Sequence, residues 1–209
     1  MMTVIIDYGV GNLFSLVCSL KKIGAEIAVT DDPEIIKKAS RLILPGVGAF
    51  EDAARKLEKS GLGELLKERA EHGVPILGIC LGMQLLFEKS FEYGEHKGLG
   101  LIKGEIVPFK GNIDETLQIP HIGWNSVFLK QTDCPLYKYI KNGDYVYFVH
   151  SFFAPESVPS AAALTEYGIT FTSSVAKGNV FGCQFHPEKS GDVGLNILRG
   201  FCEIGEKIC

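Results

Sequence analysis

The stretch from residue 74 to residue 88, VPILGICLGMQLLFE, constrains the fold more than any other part of the sequence. Its first six residues form an apolar, branched run with the length of a buried parallel strand. Leu81, Leu85 and Leu86 then recur at helical spacing. Cys80 therefore falls at a corner between a strand and a helix, and the stretch predicts an α/β fold.

Gly78 and Gly82 flank this cysteine. Two glycines allow a sharp turn, bring the helix close to the strand and expose the thiol at the carboxyl end of the sheet, which is the geometry of a nucleophile elbow. The aligned peptide dipoles at the start of a helix favour thiolate over thiol. A free cysteine is more often a small buried apolar residue, but the glycines on both sides favour a nucleophilic role for Cys80.

The rest of the chain supports one large α/β domain over residues 1–209. Strand patterns at residues 3–6, 26–30 and 41–44 alternate with helical stripes before the Cys80 strand. Further strand-like runs cover residues 99–109, 119–130, 145–154, 161–166, 171–176 and 180–185, and a final helix is predicted at 193–208. We expect an open, largely parallel central sheet with helices on both faces and extra antiparallel strands in the C-terminal half.

Composition excludes several classes of function. With 209 residues, 46% of them apolar, the chain is long enough for a sizeable core, and a net charge of −4 provides no basic surface for nucleic acid. No apolar run approaches membrane-spanning length and the start carries no basic leader, so a cytoplasmic location and no membrane contact are expected. The six cysteines show no zinc-site spacing, and no metal is predicted.

Two glycine-containing turns follow strands in the first half. The turn from Gly9 to Asn12 lacks the longer dinucleotide fingerprint, so no cofactor is predicted there. The loop Gly46-Val47-Gly48 follows the third strand, and its backbone N–H groups can face outward at the edge of the sheet that carries Cys80. It is a candidate oxyanion loop, although an ordinary strand-to-helix turn has the same composition.

A base for the thiol is predicted at His186, one of five histidines. Residues 181–185 read as a strand, and Pro187 prevents that strand from continuing, which holds the ring at the strand end. Glu188 is placed to orient one ring nitrogen while the other faces the thiol. Cys80, His186 and Glu188 therefore supply a nucleophile, a base and an orienting carboxylate.

These motifs resemble the class I, or triad, glutamine amidotransferase family, and the resemblance spans nearly the whole chain. Within the family, the sequence is most similar to the glutaminase subunits of imidazole glycerol phosphate synthases, on the stretches DYGVGN at 7–12, PGVG at 45–48, HIGWN at 121–125 and HPEKSG at 186–191. Anthranilate and aminodeoxychorismate synthase subunits usually carry histidine at the position of Met83, which argues against those two classes.

The resemblance implies hydrolysis of L-glutamine through a thioester on Cys80, with no cofactor. It implies oxyanion donors at the N–H of Leu81 and in the loop of Gly46, Val47 and Gly48. It places the substrate and partner contacts at Gln84, Glu92, Ser151 and Phe152 for glutamine, and at Asn12, Trp124 and Lys189 for the partner. That partner would be a (β/α)8-barrel cyclase subunit, which receives the ammonia in a heterodimer and makes imidazole glycerol phosphate and aminoimidazole carboxamide ribotide in histidine biosynthesis.

Other functions stay open at this point. A paralogous glutaminase could serve another synthase, such as a sugar amidotransferase, and partner pairing would separate the two. A non-catalytic binding protein, a cysteine peptidase or a redox sensor could share the fold. The presence of all three residues Cys80, His186 and Glu188 argues against a purely binding role, and Gln84 has no clear purpose in a peptidase or a sensor.

Overall fold

The computed structural model of the chain describes residues 1–11 and 13–205. The helices are α1 (Leu13–Lys22), α2 (Pro33–Lys38), α3 (Phe50–Ser60), α4 (Leu62–Glu71), α5 (Leu81–Leu86) and α6 (Gly191–Cys202). The strands are β1 (Thr3–Ile6), β2 (Ile27–Thr30), β3 (Arg41–Leu44), β4 (Ile76–Ile79), β5 (Phe87–Ser90), β6 (His96–Lys97), β7 (Ile102–Pro108), β8 (His121–Ser126), β9 (Phe128–Leu129), β10 (Tyr145–His150), β11 (Phe152–Pro155), β12 (Ala161–Glu166), β13 (Thr170–Lys177) and β14 (Val180–Cys183). Short 3-10 turns form at Pro135–Tyr137 and Pro187–Lys189.

The central sheet confirms the predicted architecture. Strands β2, β1, β3, β4 and β14 lie side by side in that order, and every neighbouring pair among them is parallel. Beyond β14, the strands β13, β11 and β7 continue the sheet with antiparallel pairs from the C-terminal half. Because β3, β4 and β14 run in the same direction, the segments that follow them meet at one edge of the sheet. That edge carries the loop at 45–48, Cys80 and His186.

Helices cover both faces of the sheet, each over its own apolar core. Side chains of α2, α3 and α4 pack in one core with β1 and β3, among them Ile36, Phe50 and Leu57. Side chains of α1 and α6 pack in the other, among them Leu20 and Phe201. A fully buried sheet of this kind requires apolar residues on both faces, which explains the continuous apolar runs of β1, β3 and β4.

A separate two-stranded antiparallel sheet is formed by β8 and β10. Its register places Trp124 opposite Tyr147 and His121 opposite His150. The main chain of Tyr147 accepts a hydrogen bond from the N–H of His186, at 2.9 Å. The pair of strands therefore lies directly against the segment that follows β14.

Several predicted boundaries were wrong. The runs at 119–130 and 145–154 each form two strands, because β8 and β10 pair with each other whereas β9 and β11 belong to the large sheet. Strands β5 and β6 were missed, since their charged sequence shows no apolar alternation. Helix α6 ends at Cys202, with Gly205 in a left-handed conformation shortly after it, and the last part of the helix predicted to residue 208 lies outside the described residues.

Candidate active site

Cys80 occupies the corner between β4 and α5, as the sequence predicts. Its backbone has φ of 53° and ψ of −111°, a conformation that non-glycine residues rarely adopt. The flanking glycines make this corner possible. A Cβ atom on Gly82 would lie 1.8 Å from the carbonyl oxygen of Leu44, and one on Gly78 would lie 2.6 Å from the carbonyl oxygen of Gly82. Only glycine permits the helix to begin this close to the ends of β3 and β4.

His186 and Glu188 form a buried pair beside the end of β14. The Nδ1 atom of His186 lies 2.7 Å from Oε1 of Glu188, and the His186 residue is 2% exposed. Its Nε2 atom is buried and has no nitrogen or oxygen partner among the described residues. His186 and Cys80 line the same cavity and interact electrostatically. Cys80, His186 and Glu188, the three residues predicted from the sequence, therefore lie together. The ring of His186 interacts with the Cys80 sulfur and with the Glu188 carboxylate.

The charge state of His186 follows from these neighbours. Burial alone lowers the pKa of the ring, since it disfavours the charged form. Interactions with Cys80 and Glu188 outweigh burial and raise the pKa of His186 to about 10. At neutral pH the ring is therefore an imidazolium, which suits it to stabilise a thiolate and to donate a proton to a leaving group.

The loop at residues 45–48 lies against the start of α5. A Cβ atom on Gly46 would be 3.0 Å from the backbone nitrogen of Gly82, so the loop and the helix start are in close contact. The hydroxyl of Tyr8 donates to the carbonyl of Pro45 at 2.8 Å and fixes the base of the loop. Val47 is 43% exposed and Gly48 has φ of 96°. The loop is anchored at one end and open to solvent at its tip.

A cavity of about 370 Å³ opens beside the thiol. Each of the four residues predicted to contact glutamine lines it, namely Gln84, Glu92, Ser151 and Phe152. The loop residues Val47 and Gly48 line it as well. The structure therefore gathers the predicted nucleophile, base, loop and substrate contacts around one space, whose size suits a small molecule.

Two of the lining residues are held by specific hydrogen bonds. Gln84 donates through Nε2 to the carbonyl of Phe152 at 3.2 Å and to Oε1 of Gln184 at 3.0 Å. Glu92 accepts from the N–H of Phe50 at 2.5 Å, and its partial burial raises the pKa of the carboxyl. Gln84 is thus used to build the wall of the cavity, and Glu92 provides an acidic group at its rim.

Sequence reasoning missed several polar residues of the site. Gln184 is fully buried and directs its Nε2 toward the Cys80 sulfur at 3.7 Å. His150 lines the cavity, and Ser190 hydrogen-bonds to the carbonyl of His186. Gln184 offered a signal, because it is a polar residue inside the apolar run at 180–185. The positions of His150 and Ser190 depend on the fold and gave no comparable signal.

Trp124 and Lys189 lie on the surface near this site. Trp124 is 55% exposed and meets Tyr147 edge-to-face, with ring centroids 6.1 Å apart. The Nζ atom of Lys189 lies 5.8 Å from the centroid of the Tyr147 ring. The tryptophan is therefore not a core residue. Asn12, also predicted to face a partner, lies outside the described residues.

The described residues contain neither a metal-binding cluster nor a membrane-spanning helix. Across residues 1–11 and 13–205, no three side chains of His, Cys, Asp or Glu are grouped as a metal site would require. In the same part of the chain, no helix combines the length and the apolar character needed to cross a bilayer.

The sequence matches the family model described as glutamine amidotransferase class-I over residues 4–203. This chain belongs to the class I glutamine amidotransferase family. Among curated relatives of this family member, the imidazole glycerol phosphate synthase subunit HisH of Caldanaerobacter subterraneus is 54% identical over 202 residues, covering 96% of this chain and 97% of the relative. The protein of the same name from Wolinella succinogenes is 50% identical, covering 96% and 98%.

A solved structure with the same fold is that of PurLQS from Thermotoga maritima. It superimposes with a TM-score of 0.76 at 19% identity and covers 98% of this chain and 99% of that chain. At this identity the likeness concerns the fold alone. It shows that the sheet and helix arrangement of this class I glutamine amidotransferase is shared with a solved protein over nearly the whole length.

Proposed function

We propose that the chain is the glutaminase subunit of an imidazole glycerol phosphate synthase and acts as one domain that hydrolyses glutamine and passes the ammonia to a synthase subunit. The observation that carries the reaction is the buried arrangement of Glu188, His186 and Cys80 at the wall of one cavity. The choice of synthase is supported by curated relatives that bear this name and are 50–54% identical over almost their full length.

In the first step, the Cys80 thiolate attacks the side-chain amide carbon of glutamine. A carbon–sulfur bond forms, the carbon–nitrogen bond breaks, and the His186 imidazolium gives its Nε2 proton to the departing nitrogen. The raised pKa of His186, about 10, keeps that proton in place at neutral pH. The neutral ring then takes a proton from water, whose oxygen attacks the thioester and releases glutamate.

Glu188 has an orienting role in this scheme. Its Oε1 atom accepts a hydrogen bond from Nδ1 of His186 at 2.7 Å, which turns Nε2 toward the cavity. The negative charge also stabilises the imidazolium that the first step uses. Only the second effect requires a carboxylate, since a neutral amide would supply the geometry without the charge.

The tetrahedral intermediate needs N–H donors for its oxyanion. The N–H of Leu81 begins α5 beside the thiol, and the Gly46–Gly48 loop packs against that helix start. Loss of one such donor costs about 10²–10³ in rate in enzymes of known mechanism. Because the tip of the loop at Val47 is exposed, we propose that its conformation controls when the second donor is available.

The remaining lining residues account for glutamine recognition. The Glu92 carboxylate at the rim suits the α-ammonium group of an amino acid. Gln84 and the backbone at Ser151 and Phe152 form the wall that holds the rest of the head group. Phenylalanine at position 152 has no hydroxyl, so any contact made there comes from the backbone or the ring.

The partner is proposed to be a (β/α)8-barrel cyclase subunit that docks on the face of β8 and β10. Trp124 is the only tryptophan of the chain, and large aromatic side chains are preferred anchors at protein interfaces. Lys189 lies one residue after Glu188 on the same surface. A sealed interface retains ammonia that would otherwise be protonated and lost in water, so docking there places the acceptor next to the site of release.

The test is the glutaminase activity of the chain alone and with an imidazole glycerol phosphate synthase barrel subunit plus its nucleotide ligand. Strong activation by the partner that disappears in Cys80→Ala is the expected result. High activity of the chain alone would argue for a different mode of control. Absence of activity under both conditions would contradict the proposed function.

A further inference from the structure

His121 and His150 form a buried pair that the proposed reaction does not use. They lie opposite each other on β8 and β10, and Nδ1 of His121 is 2.9 Å from Nε2 of His150. Both side chains are buried. His150 reaches the cavity that contains Cys80, whereas His121 lies behind it, away from that space.

Each histidine of this pair donates a hydrogen bond through Nδ1 and accepts one through Nε2. Nδ1 of His150 lies 2.8 Å from the carbonyl oxygen of Phe152, and a carbonyl only accepts, so Nδ1 carries the hydrogen. In a neutral ring Nε2 is then an acceptor, and Nδ1 of His121 must donate to it. Nε2 of His121 in turn accepts from the amide of Asn125, at 3.4 Å.

The environment keeps both rings neutral. Burial lowers the pKa of His121 to about 4. Burial likewise lowers the pKa of His150 to about 3, against the hydrogen bond to the Phe152 carbonyl and with further lowering by the charges of His121 and His186. The direction of the hydrogen bonds is therefore fixed at neutral pH.

The inner end of this series of hydrogen bonds, at His150, reaches the glutamine cavity. The carbonyl of Phe152 accepts from both His150 and the side chain of Gln84. Gln84 also donates to Gln184, whose amide points at the Cys80 sulfur. The position of one backbone carbonyl thus links the histidine pair to the wall of the cavity and to the neighbourhood of the thiol.

The outer end of this series of hydrogen bonds lies on β8, the strand that carries the exposed Trp124. Side chains alternate between the two faces of a strand, so His121 and Asn125 share one face of β8 while Ile122 and Trp124 share the other. Ile122 and Trp124 are both more than half exposed. Strand β8 therefore carries the proposed partner contact on one face and His121 with Asn125 on the other. We call the hydrogen-bonded series of Asn125, His121, His150 and the Phe152 carbonyl the histidine relay.

We propose that His121 and His150 are positioning residues that fix the Phe152 carbonyl and Gln84 in the glutamine site, and that couple this site to the docking of the partner on β8. The proposal rests on the proposed glutaminase function. It assigns no contact with the reacting atoms to either ring. Their removal should therefore weaken glutamine binding and partner activation more than the chemical step.

The test compares His121→Phe with His121→Asn in the complex with the barrel subunit. Phenylalanine keeps an aromatic ring against Tyr167 and Phe148 but leaves Nε2 of His150 without its donor. Asparagine retains an N–H near the position of Nδ1. We expect His121→Phe to raise KM for glutamine about tenfold with kcat within about threefold, and His121→Asn to recover most of the loss.

Leu66→Ala serves as the stability control, because Leu66 is buried on α4 in the core on the other face of the sheet. An equal rise of KM in Leu66→Ala, or an unchanged KM in His121→Phe, overturns the relay. A wild-type complex without glutaminase activity overturns the proposed function and the relay with it. An active wild-type complex with an unchanged His121→Phe overturns the relay alone.

A second measurement needs no variant. Nitrogen-15 NMR of the histidine-labelled full chain at neutral pH distinguishes the two neutral tautomers of each ring. The relay requires hydrogen on Nδ1 and none on Nε2 in both His121 and His150. Hydrogen on Nε2 of His150 would overturn it, whatever the stability of the variants.

Discussion

The main chain of His186 is bound to the main chain of Tyr147 at two points. The N–H of His186 donates to the carbonyl of Tyr147 at 2.9 Å. The Ser190 hydroxyl makes the second link, since it donates to the carbonyl of His186 at 2.6 Å and accepts from the N–H of Tyr147 at 2.9 Å. Tyr147, which lies opposite Trp124 in the β8 and β10 pair, therefore also holds the proposed base, His186, in place.

Ser190→Ala removes the second of these links. The N–H of Tyr147 loses its partner, which costs about 1–3 kcal/mol of unfolding free energy when a buried group is left unsatisfied. With less support, the ring of His186 can shift from its alignment, and we expect kcat of the complex to fall about 10- to 100-fold. Steady-state glutaminase kinetics and urea unfolding measure the two effects.

The matched control is Ser173→Ala. Ser173 is also fully buried, but its hydroxyl has no hydrogen-bond partner within the described residues. Its removal should leave both kcat and the unfolding free energy nearly unchanged. Equal effects of the two substitutions would show that the loss in Ser190→Ala comes from removing any buried hydroxyl rather than from releasing His186.

Glu188→Gln tests the charge on the orienting residue. Glutamine can still accept from Nδ1 of His186, but without the negative charge the pKa of the ring falls below the value of about 10 in the parent protein. The alkaline limb of the pH–rate profile should therefore move to lower pH, and kcat should fall at least about 100-fold. Kinetics of the complex between pH 6 and pH 10.5 are the measurement.

The same substitution has a predicted effect on stability. A ring whose pKa rises on folding, from 6.5 to about 10 for His186, adds stability that is complete below pH 6.5 and is lost as the pH rises toward 10. Glu188→Gln should lose part of this contribution, so the two proteins should differ most around pH 6, where the ring is protonated and the carboxylate is ionised, and the difference should shrink as the pH rises toward 10. Glu156→Gln, on an exposed turn, is the control, and a difference that does not depend on pH would contradict the assignment.

Gly82→Ala tests the close approach at the elbow. The added methyl group would lie 1.8 Å from the carbonyl oxygen of Leu44, so either α5 or the end of β3 has to move. We expect a loss of more than about 3 kcal/mol of unfolding free energy. Gly143→Ala is the control, since that glycine has open space around it. Its φ is positive, unlike that of Gly82, so the substitution should cost about 1–2 kcal/mol from backbone strain alone. Similar losses in urea unfolding would argue against the steric explanation.

The elbow and the histidine loop could be predicted from sequence because their geometry is local. Gly78, Cys80 and Gly82 lie within five residues of one another, and His186 and Glu188 are separated by a single proline. Local spacing also gave the parallel strands, because a strand buried on both faces is apolar throughout. Their neighbours in the sheet follow from the regular alternation of strand and helix.

The polar lining of the cavity could not be predicted in the same way. Gln84 and Gln184 are 100 residues apart in the chain and meet only because β14 lies beside β4. His121 and His150 meet through the register of β8 and β10, which the sequence pattern predicted only as parts of two longer runs. A polar residue in an apolar strand indicates a buried contact, but its partner is determined by strand order and register.

Trp124→Ala tests the proposed docking face. The side chain is 55% exposed and meets Tyr147 edge-to-face, so its loss should change the unfolding free energy of the isolated chain little. Hot-spot aromatic residues contribute about 2 kcal/mol or more to binding, which corresponds to a rise of about 30-fold in Kd for the barrel subunit. Titration calorimetry with the barrel subunit gives this value, and the glutaminase activation measured at a fixed partner concentration should fall in parallel. Phe128→Ala removes another exposed aromatic side chain, on β9, which pairs with β12 rather than with β10, and should leave Kd unchanged. Equal weakening by both substitutions, or an unchanged Kd in Trp124→Ala, would place the partner on a different surface.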